Sequence, residues 1–284
     1  MPGKVKLYGF TGSNSVYTGR RMLEHKGLEY DFVKLPPAVH APVMLMLGFP
    51  TMGVPAIKVD DVRVQGTRWI ARALDEMYPD MPLLFPTDPA ARRQVEQAER
   101  WGEELQNSVR RIFYCAARRD RQAFLSVLGS GRGPVKSVAM RMLAPVVIKL
   151  ATGLHRASDE AGREDVVMLP ERLDQIDAWI ADGVLGGEQL TAADYQIGVN
   201  VAALLLSDDL TPFIEGRPAA ALARRVLPHY GGHIGPVVPA AWMDELRTVA
   251  RDRALEAVQP GGGSPPVAPG IDTVRFATIM RPSL

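Results

Sequence analysis

Met52-Gly53-Val54-Pro55-Ala56-Ile57 is the stretch that decides the fold. Pro55 fixes its own φ and offers no N–H, so it marks a rigid turn between two regular elements. Outward from it, the pattern is legible in both directions. Val5 to Phe10 has the alternation of a short strand. Thr11-Gly12-Ser13-Asn14-Ser15 is a turn suited to capping a helix, and Lys26-Gly27 closes that helix. Tyr30 to Leu35 reads as a second strand, broken by Pro36-Pro37. After Pro55, Ala56 to Val64 reads as two short strands about an Asp60-Asp61 turn. Thr67 is placed to cap a helix with an Ile70, Ala73, Leu74, Met77 stripe, which Tyr78-Pro79 stops.

From Asp88-Pro89 the period becomes helical. Asp88 caps, Pro89 suits the first helical position, and Val95, Ala98, Trp101, Leu105, Val109 and Ile112 sustain one long helix with Trp101 in the core. A glycine-rich break at Gly129 to Gly133 precedes helices expected over about 135–158 and 170–182. The apolar Val138 to Leu154 stretch, with its few basic residues, is expected in the bundle core rather than on a membrane surface. Thr191 and Asp194 have capping-box spacing, and the apolar run Tyr195 to Leu206 predicts a helix buried all round. Pro218 to Val226 reads as a shorter helix. Pro260 to Pro266 has linker composition, with Thr273 to Met280 behind it to dock on the body or on another chain.

The bulk properties exclude several classes. At 284 residues and a net charge of +1, the chain holds two domains and has no pull toward nucleic acid. No apolar run is long enough for a membrane span, and no apolar leader precedes the first strand, so a cytoplasmic protein is expected. The single cysteine, Cys115, rules out an internal disulfide, a CxxC redox site and a cysteine-rich zinc site. It reads as a small buried apolar residue. No His, Asp and Glu fall at metal-ligand spacing, so no metal is expected.

The order β-α-β, loop, proline, β-β-α is the thioredoxin-type arrangement. Lys6 to Ser13, His25 to Leu28, Gly53 to Ile57, Thr67 to Pro79, Pro82 to Pro86 and Leu190 to Ile197 together resemble the glutathione S-transferase superfamily over about residues 4–240. The resemblance implies a thioredoxin-like thiol-binding domain at 1–81, an all-α helical bundle at 82–245 and an extra tail at 246–284. It also implies a cis Val54-Pro55 bond, whose backbone pairs with a bound thiol compound like an added strand. A homodimer is implied as well.

The resemblance further assigns roles by position. Ser13 falls where serine-type branches place the hydroxyl that donates to the thiol sulfur, at a helix N-terminus that favours the thiolate. It reads equally as a plain helix cap. Ser15, two positions on, and Tyr8, at the end of the first strand, are the alternates. Thr67 matches the hydroxyl that holds the γ-glutamyl carboxylate, a cap in its simpler reading. Arg68 can pair with a carboxylate, His40 and Lys34 stand in or near the loop that faces the glycine carboxylate, and Arg110 and Tyr114 share a helix face toward an electrophile. The chain departs from the family at Gly66, where Glu, Asp or Gln is usual, with Gln65 one position early. Phe49 to Gly53 likewise departs from the family's Asn-Pro-x-Gly-Lys segment. The thiol is therefore glutathione or another low-molecular-weight thiol, such as those of some high-GC bacterial lineages. Pro42 to Phe49 is read as a helix buried against the bundle or a subunit interface, or as a pocket wall for an apolar electrophile. The function implied is transfer of the thiol to a small apolar electrophile, or thiol-dependent elimination or isomerisation. The alternative is a non-catalytic binding protein of the same fold.

Overall fold

In the computed structural model, residues 3–37, 40–122, 125, 138–229 and 232–258 are described, with backbone alone at 138–140 and 257–258. Strand β1 (Val5–Gly9), helix α1 (Asn14–His25), β2 (Tyr30–Lys34), α2 (His40–Met46), β3 (Ala56–Val59), β4 (Val62–Gln65) and α3 (Thr67–Met77) form the first domain. The sheet order is β2-β1-β3-β4. β1 runs parallel to β2 with Leu7 opposite Phe32, and antiparallel to β3 with Leu7 opposite Ile57. The Val54-Pro55 bond is cis. This is the thioredoxin-like arrangement expected from the sequence.

One side of the sheet is closed by α1 and α3, which bury Val16, Met22, Leu23, Ile70 and Leu74 with Leu7 and Ile57. The other side holds a smaller cluster of Tyr8, Leu35, Met44, Phe49 and Ala56. Of the readings of the apolar 42–49 stretch, burial against the bundle is not met. Met44 and Phe49 cover this second face of the sheet, while Leu45, Met46 and Leu47 stay exposed, so the helix packs on its own domain and not on the bundle.

The bundle begins with α4 (Pro89–Arg119), where the Asp88 carboxylate accepts from the Ala91 N–H at 2.7 Å. It continues through α5 (Val138–Leu154), α6 (Asp159–Val167), α7 (Leu169–Ala181), α8 (Ala192–Leu204), the single turn α9 (Thr211–Ile214), α10 (Pro218–Val226) and α11 (Ala240–Val258). The α6 helix, capped by Ser158, was not expected; its Asp159-Glu160 start leads into Pro170, which opens α7 as a separate helix. All thirteen residues of α8 are buried. Its start is held by the capping box: Asp194 accepts from the Thr191 N–H at 2.7 Å and the Thr191 hydroxyl at 2.8 Å, and from Gly186 N–H at 2.6 Å. Gly102 lets α4 meet α8 closely, since a Cβ there would lie 2.8 Å from Ile197 and 2.9 Å from Gln196.

Two elements fall elsewhere than predicted. α5 is not bundle core: Ala144 and Ile148 are buried, but its opposite side carries exposed Met142, Leu143, Val146, Leu150 and Leu154. α11 runs without a break across position 245, where the tail was expected to begin. The glycine-rich break at 129–133, the linker at 260–266 and the 273–280 segment lie outside the described residues. No helix among the described residues is long and apolar enough to cross a membrane.

The two domains are pinned at the C-terminal end of α1. Lys26 Nζ lies 2.7 Å from Asp75 Oδ1 of α3 and donates to the Tyr78 carbonyl at 3.1 Å, with the lysine side chain wholly buried. Asp75 also accepts from the N–H groups of Leu84 at 2.9 Å and Phe85 at 3.0 Å, in the segment that joins the domains. Next to it, His25 bonds the Tyr195 hydroxyl of α8 at 3.0 Å and the Leu83 carbonyl at 3.1 Å. Removing one partner of a buried pair strands the other. Lys26→Met is expected to destabilise the chain by about 3 kcal/mol. Urea denaturation checks it, and a loss near zero would remove this pair from the account.

Candidate thiol site

The N-terminus of α1, the Val54-Pro55 turn and the middle of α4 meet in one place. Ser13 is the N-cap of α1, with φ −84° and ψ 118°, yet its side chain makes no capping bond. Its hydroxyl lies 3.1 Å from the Ser15 hydroxyl instead. Ser15 donates to the Val54 carbonyl at 3.1 Å and accepts from Arg110 Nη2 at 3.2 Å. A hydroxyl has one proton. Ser15 spends its proton on Val54, so in the Ser13–Ser15 contact the donor is Ser13. That leaves Ser13 as the hydroxyl free to turn its proton toward an incoming atom. Both serines are buried.

Arg110 arrives from α4, ninety-five residues along the chain. The Gln106 amide, with its oxygen toward the guanidinium, accepts from Nη1 at 2.9 Å and Nη2 at 2.6 Å. The Gln106 amide is in turn 3.0 Å from the Gln196 amide of α8. Asn200, one turn on, donates to the Gln196 carbonyl at 2.7 Å and accepts from Asn14 at 3.1 Å. A polar seam therefore runs from the N-terminus of α1 across α4 and α8. Burial pushes the Arg110 pKa down, while Tyr114 and Glu103 act the other way. Among the described residues no carboxylate forms an ion pair with Arg110, so its positive charge faces the two serines. Tyr114 lies one turn further along α4, stacked on His155 with ring centroids 5.2 Å apart. Arg110 and Tyr114 are one helical turn apart on α4, and the Arg110 charge acts on Tyr114.

The remaining candidates lie apart from these serines. Tyr8 packs edge-on against Phe49, 5.3 Å between centroids. Gly66, with φ 91°, is the N-cap of α3, and Thr67 is the first helical residue rather than the cap. Only glycine enters that conformation freely, which moves the cap one residue back. Gly66 N–H bonds the Pro55 carbonyl at 2.9 Å, so buried Thr67 stands beside the cis-proline turn. Gln65 clamps the loop before the turn: Oε1 accepts from Thr51 N–H at 3.0 Å and Nε2 donates to Thr51 O at 2.8 Å. Arg68 reaches back to Glu103 at 3.4 Å and Glu99 at 3.6 Å on α4. His40 opens α2 rather than standing in the loop; it bonds the Pro37 carbonyl at 2.6 Å and rests against Phe10. Lys34 is exposed on β2. Arg111 is occupied by Asp165 at 2.6 and 2.9 Å.

Gln106, Gln196, Asn200 and His155 were not picked out from the sequence. Gln196 and Asn200 left a signal: two amides one turn apart in an otherwise apolar buried helix need polar partners. A cleft of about 250 Å³ lined by Ala202, Leu205, Thr211, Glu215, Ala223 and Arg224 shares no residue with the site. Its Thr211 hydroxyl is already bonded inward to the Leu205 carbonyl at 3.1 Å.

The fold and this geometry define a two-domain protein in which a thioredoxin-like domain presents a cis-proline turn to a helical bundle. Residues 7–82 match the family described as glutathione S-transferase, N-terminal domain. Rice GST1, solved in complex with glutathione, is 16% identical with a TM-score of 0.56, the match covering 89% of this chain and 99% of that one. FzlA from C. crescentus is 16% identical with a TM-score of 0.52, covering 85% and 99%. The beta-etherase LigF from Sphingobium sp. strain SYK-6 is 19% identical with a TM-score of 0.51, covering 90% and 96%. No curated protein matches the chain by sequence. Residues 7–82 thus carry the glutathione S-transferase N-terminal domain, and the chain as a whole shares the fold of these structures. Identities this low carry the fold and nothing finer.

His155 yields a pH signature. Its pKa is pushed down from 6.5 to about 4, by burial first and then by Arg110 and Arg111. His25 and His40 are also held low, chiefly by burial. The unfolded chain accepts these protons at a higher pH than the folded chain does. Acid therefore favours unfolding, and stability present above pH 6.5 is lost as pH falls toward about 4. His155→Phe keeps the stack on Tyr114 and removes the proton site. Thermal melts across this window are expected to show a shallower loss in the variant; identical slopes would count against a neutral buried His155.

Proposed function

We propose that this protein binds glutathione or another low-molecular-weight thiol and activates it for reaction with a small apolar electrophile. The single observation that carries the reading is the Ser13 hydroxyl at the α1 N-terminus, which makes no capping bond and donates only to Ser15, backed by Arg110 and the Val54 backbone. The thiol sulfur replaces the Ser15 oxygen as the acceptor of the Ser13 proton. Hydrogen bonding from Ser13, the amide dipoles of α1 and the Arg110 charge each favour the thiolate, whose proton passes to solvent. The sulfur then forms a bond to the electrophile as the leaving group departs with the electron pair, or adds reversibly in an elimination or isomerisation. Rate enhancement comes mainly from proximity and a lowered thiol pKa. The Val54 backbone aligns the thiol compound, and Thr67 at the start of α3 receives its carboxylate. Tyr114, beside Arg110, borders the electrophile. No metal is invoked. The protein acts as a homodimer in the cytoplasm, by analogy with this fold class.

Gly66 bears on the choice of thiol. It brings no side chain to the ammonium end of a γ-glutamyl group, and Gln65 is engaged by Thr51. A thiol with other groups at that end fits as well as glutathione. The same two facts, with Arg68 taken by Glu99 and Glu103, support a second reading: a binding protein of this fold without turnover.

Calorimetry with glutathione, mycothiol and other small cellular thiols separates the readings. One thiol is expected to bind saturably, with Thr67→Ala weakening it. In the enzyme reading, Ser13→Ala lowers turnover about a hundredfold, the cost of losing one donor to a developing anion, and raises the pKa of the bound thiol. Arg110→Met raises that pKa as well. Binding without any pKa change in Ser13→Ala removes Ser13 from the chemistry, and no binding by any thiol leaves the second reading.

A further inference from the structure

Helix α5 has two apolar sides, and only one of them is used. Ala144 and Ile148 pack with Ala117 and Leu125. On the other side Met142 is 75% exposed, Leu143 44%, Val146 56%, Leu150 67% and Leu154 79%. At about 100° per residue these five fall within an arc of roughly 120° facing away from Ala144 and Ile148. A contiguous aliphatic stripe of this kind marks a docking surface rather than scattered exposure.

Charge selects what docks there. Between residues 121 and 158 the chain carries Arg121, Arg132, Lys136, Arg141, Lys149 and Arg156, and no Asp or Glu, although its net charge is only +1. Arg141, Lys149 and Arg156 are exposed; Lys149 lies about 60° round the helix from Val146, at the margin of the stripe, while Arg141 lies on the Ala144–Ile148 side. Among the described residues, none of these three forms an ion pair, whereas Arg118 and Arg119 are both taken up by Asp159. A second copy of this chain docked symmetrically would set these cations against themselves. An anionic bilayer answers both the stripe and the charge.

We propose that α5 is a peripheral membrane-docking helix. Its exposed aliphatic side chains enter the boundary between headgroups and acyl chains, and Lys149 at the margin of the stripe, with Arg156 just past the C-terminal end of the helix, meets lipid phosphates. At seventeen residues it lies on the bilayer and does not cross it.

The test is co-sedimentation of the full chain with vesicles of phosphatidylcholine alone, and with an equal part of phosphatidylglycerol. Binding is expected to the anionic vesicles, to weaken as salt rises, and to be slight on phosphatidylcholine. Val146→Glu and Leu150→Glu, both at exposed positions, are each expected to lower the partition about tenfold. Lys149→Glu is expected to lower it about fivefold. Equal binding to both vesicles, binding to neither, or binding that Leu150→Glu leaves unchanged overturns the proposal. So does self-association abolished by Leu150→Glu in a chain that ignores vesicles, which would give the stripe to a second copy. If the glutamate variants lose their circular dichroism, the lipid comparison and salt dependence of the unaltered chain still decide.

Discussion

The Lys26–Asp75 ion pair ties α1 to α3 within the first domain and, through Asp75, holds the segment that leads into the bundle. A wholly buried ammonium is tolerable only with a charge partner and further hydrogen bonds. Lys26 finds Asp75 and the Tyr78 carbonyl; Asp75 adds the N–H groups of Leu84 and Phe85. One lysine thereby fixes the end of α1, the end of α3 and the path of the chain into the bundle. Ala192 N–H then bonds the Leu84 carbonyl at 2.8 Å, so the start of α8 is tied to the same segment.

With that end fixed, the opposite end of α1 can only meet α4 and α8 where it does. The polar seam through Ser13, Ser15, Arg110, Gln106, Gln196 and Asn200 follows from this placement. The seam is polar for a physical reason: α8 is buried throughout, and its two amides and the guanidinium opposite must satisfy one another. The interface between domains thus supplies the charge that the candidate thiol site needs, with Arg110 left free of carboxylates. The contact of α3 with α4 is built the other way. Buried Glu99 is matched by Arg72 at 2.8 Å, and burial still raises its pKa. Charges are cancelled there and left open at Ser15.

Much of this was legible in the residues. The Val54-Pro55 turn, Lys26-Gly27 closing α1, Asp88-Pro89 opening α4 and the Thr191–Asp194 box are local signals, each written within four residues of the feature it makes. Ser13 and Ser15 stood out because a hydroxyl at a helix start is a local matter too. The misreadings share one cause. Val138 to Leu154 was read as bundle core, and the bundle-facing reading of Pro42 to Phe49 rested on the same apolar composition, which alone does not tell a core-facing side from an exposed one. Thr67 was given the cap because hydroxyls favour that place, yet Gly66 takes it through a positive φ that a sequence does not display.

The sequence by itself determined the order of elements, the class of both domains and the position of the turn at Pro55, because capping, proline geometry and hydrophobic period act over a few residues. Only the tertiary structure decided which serine spends its proton on Val54 and which on the other serine, that Arg110 stands behind Ser15 without a carboxylate, and which side of α5 is left uncovered. Those facts depend on groups far apart in the chain, Ser15 and Val54 by 39 residues and Ser15 and Arg110 by 95, and no local propensity encodes the distance between them.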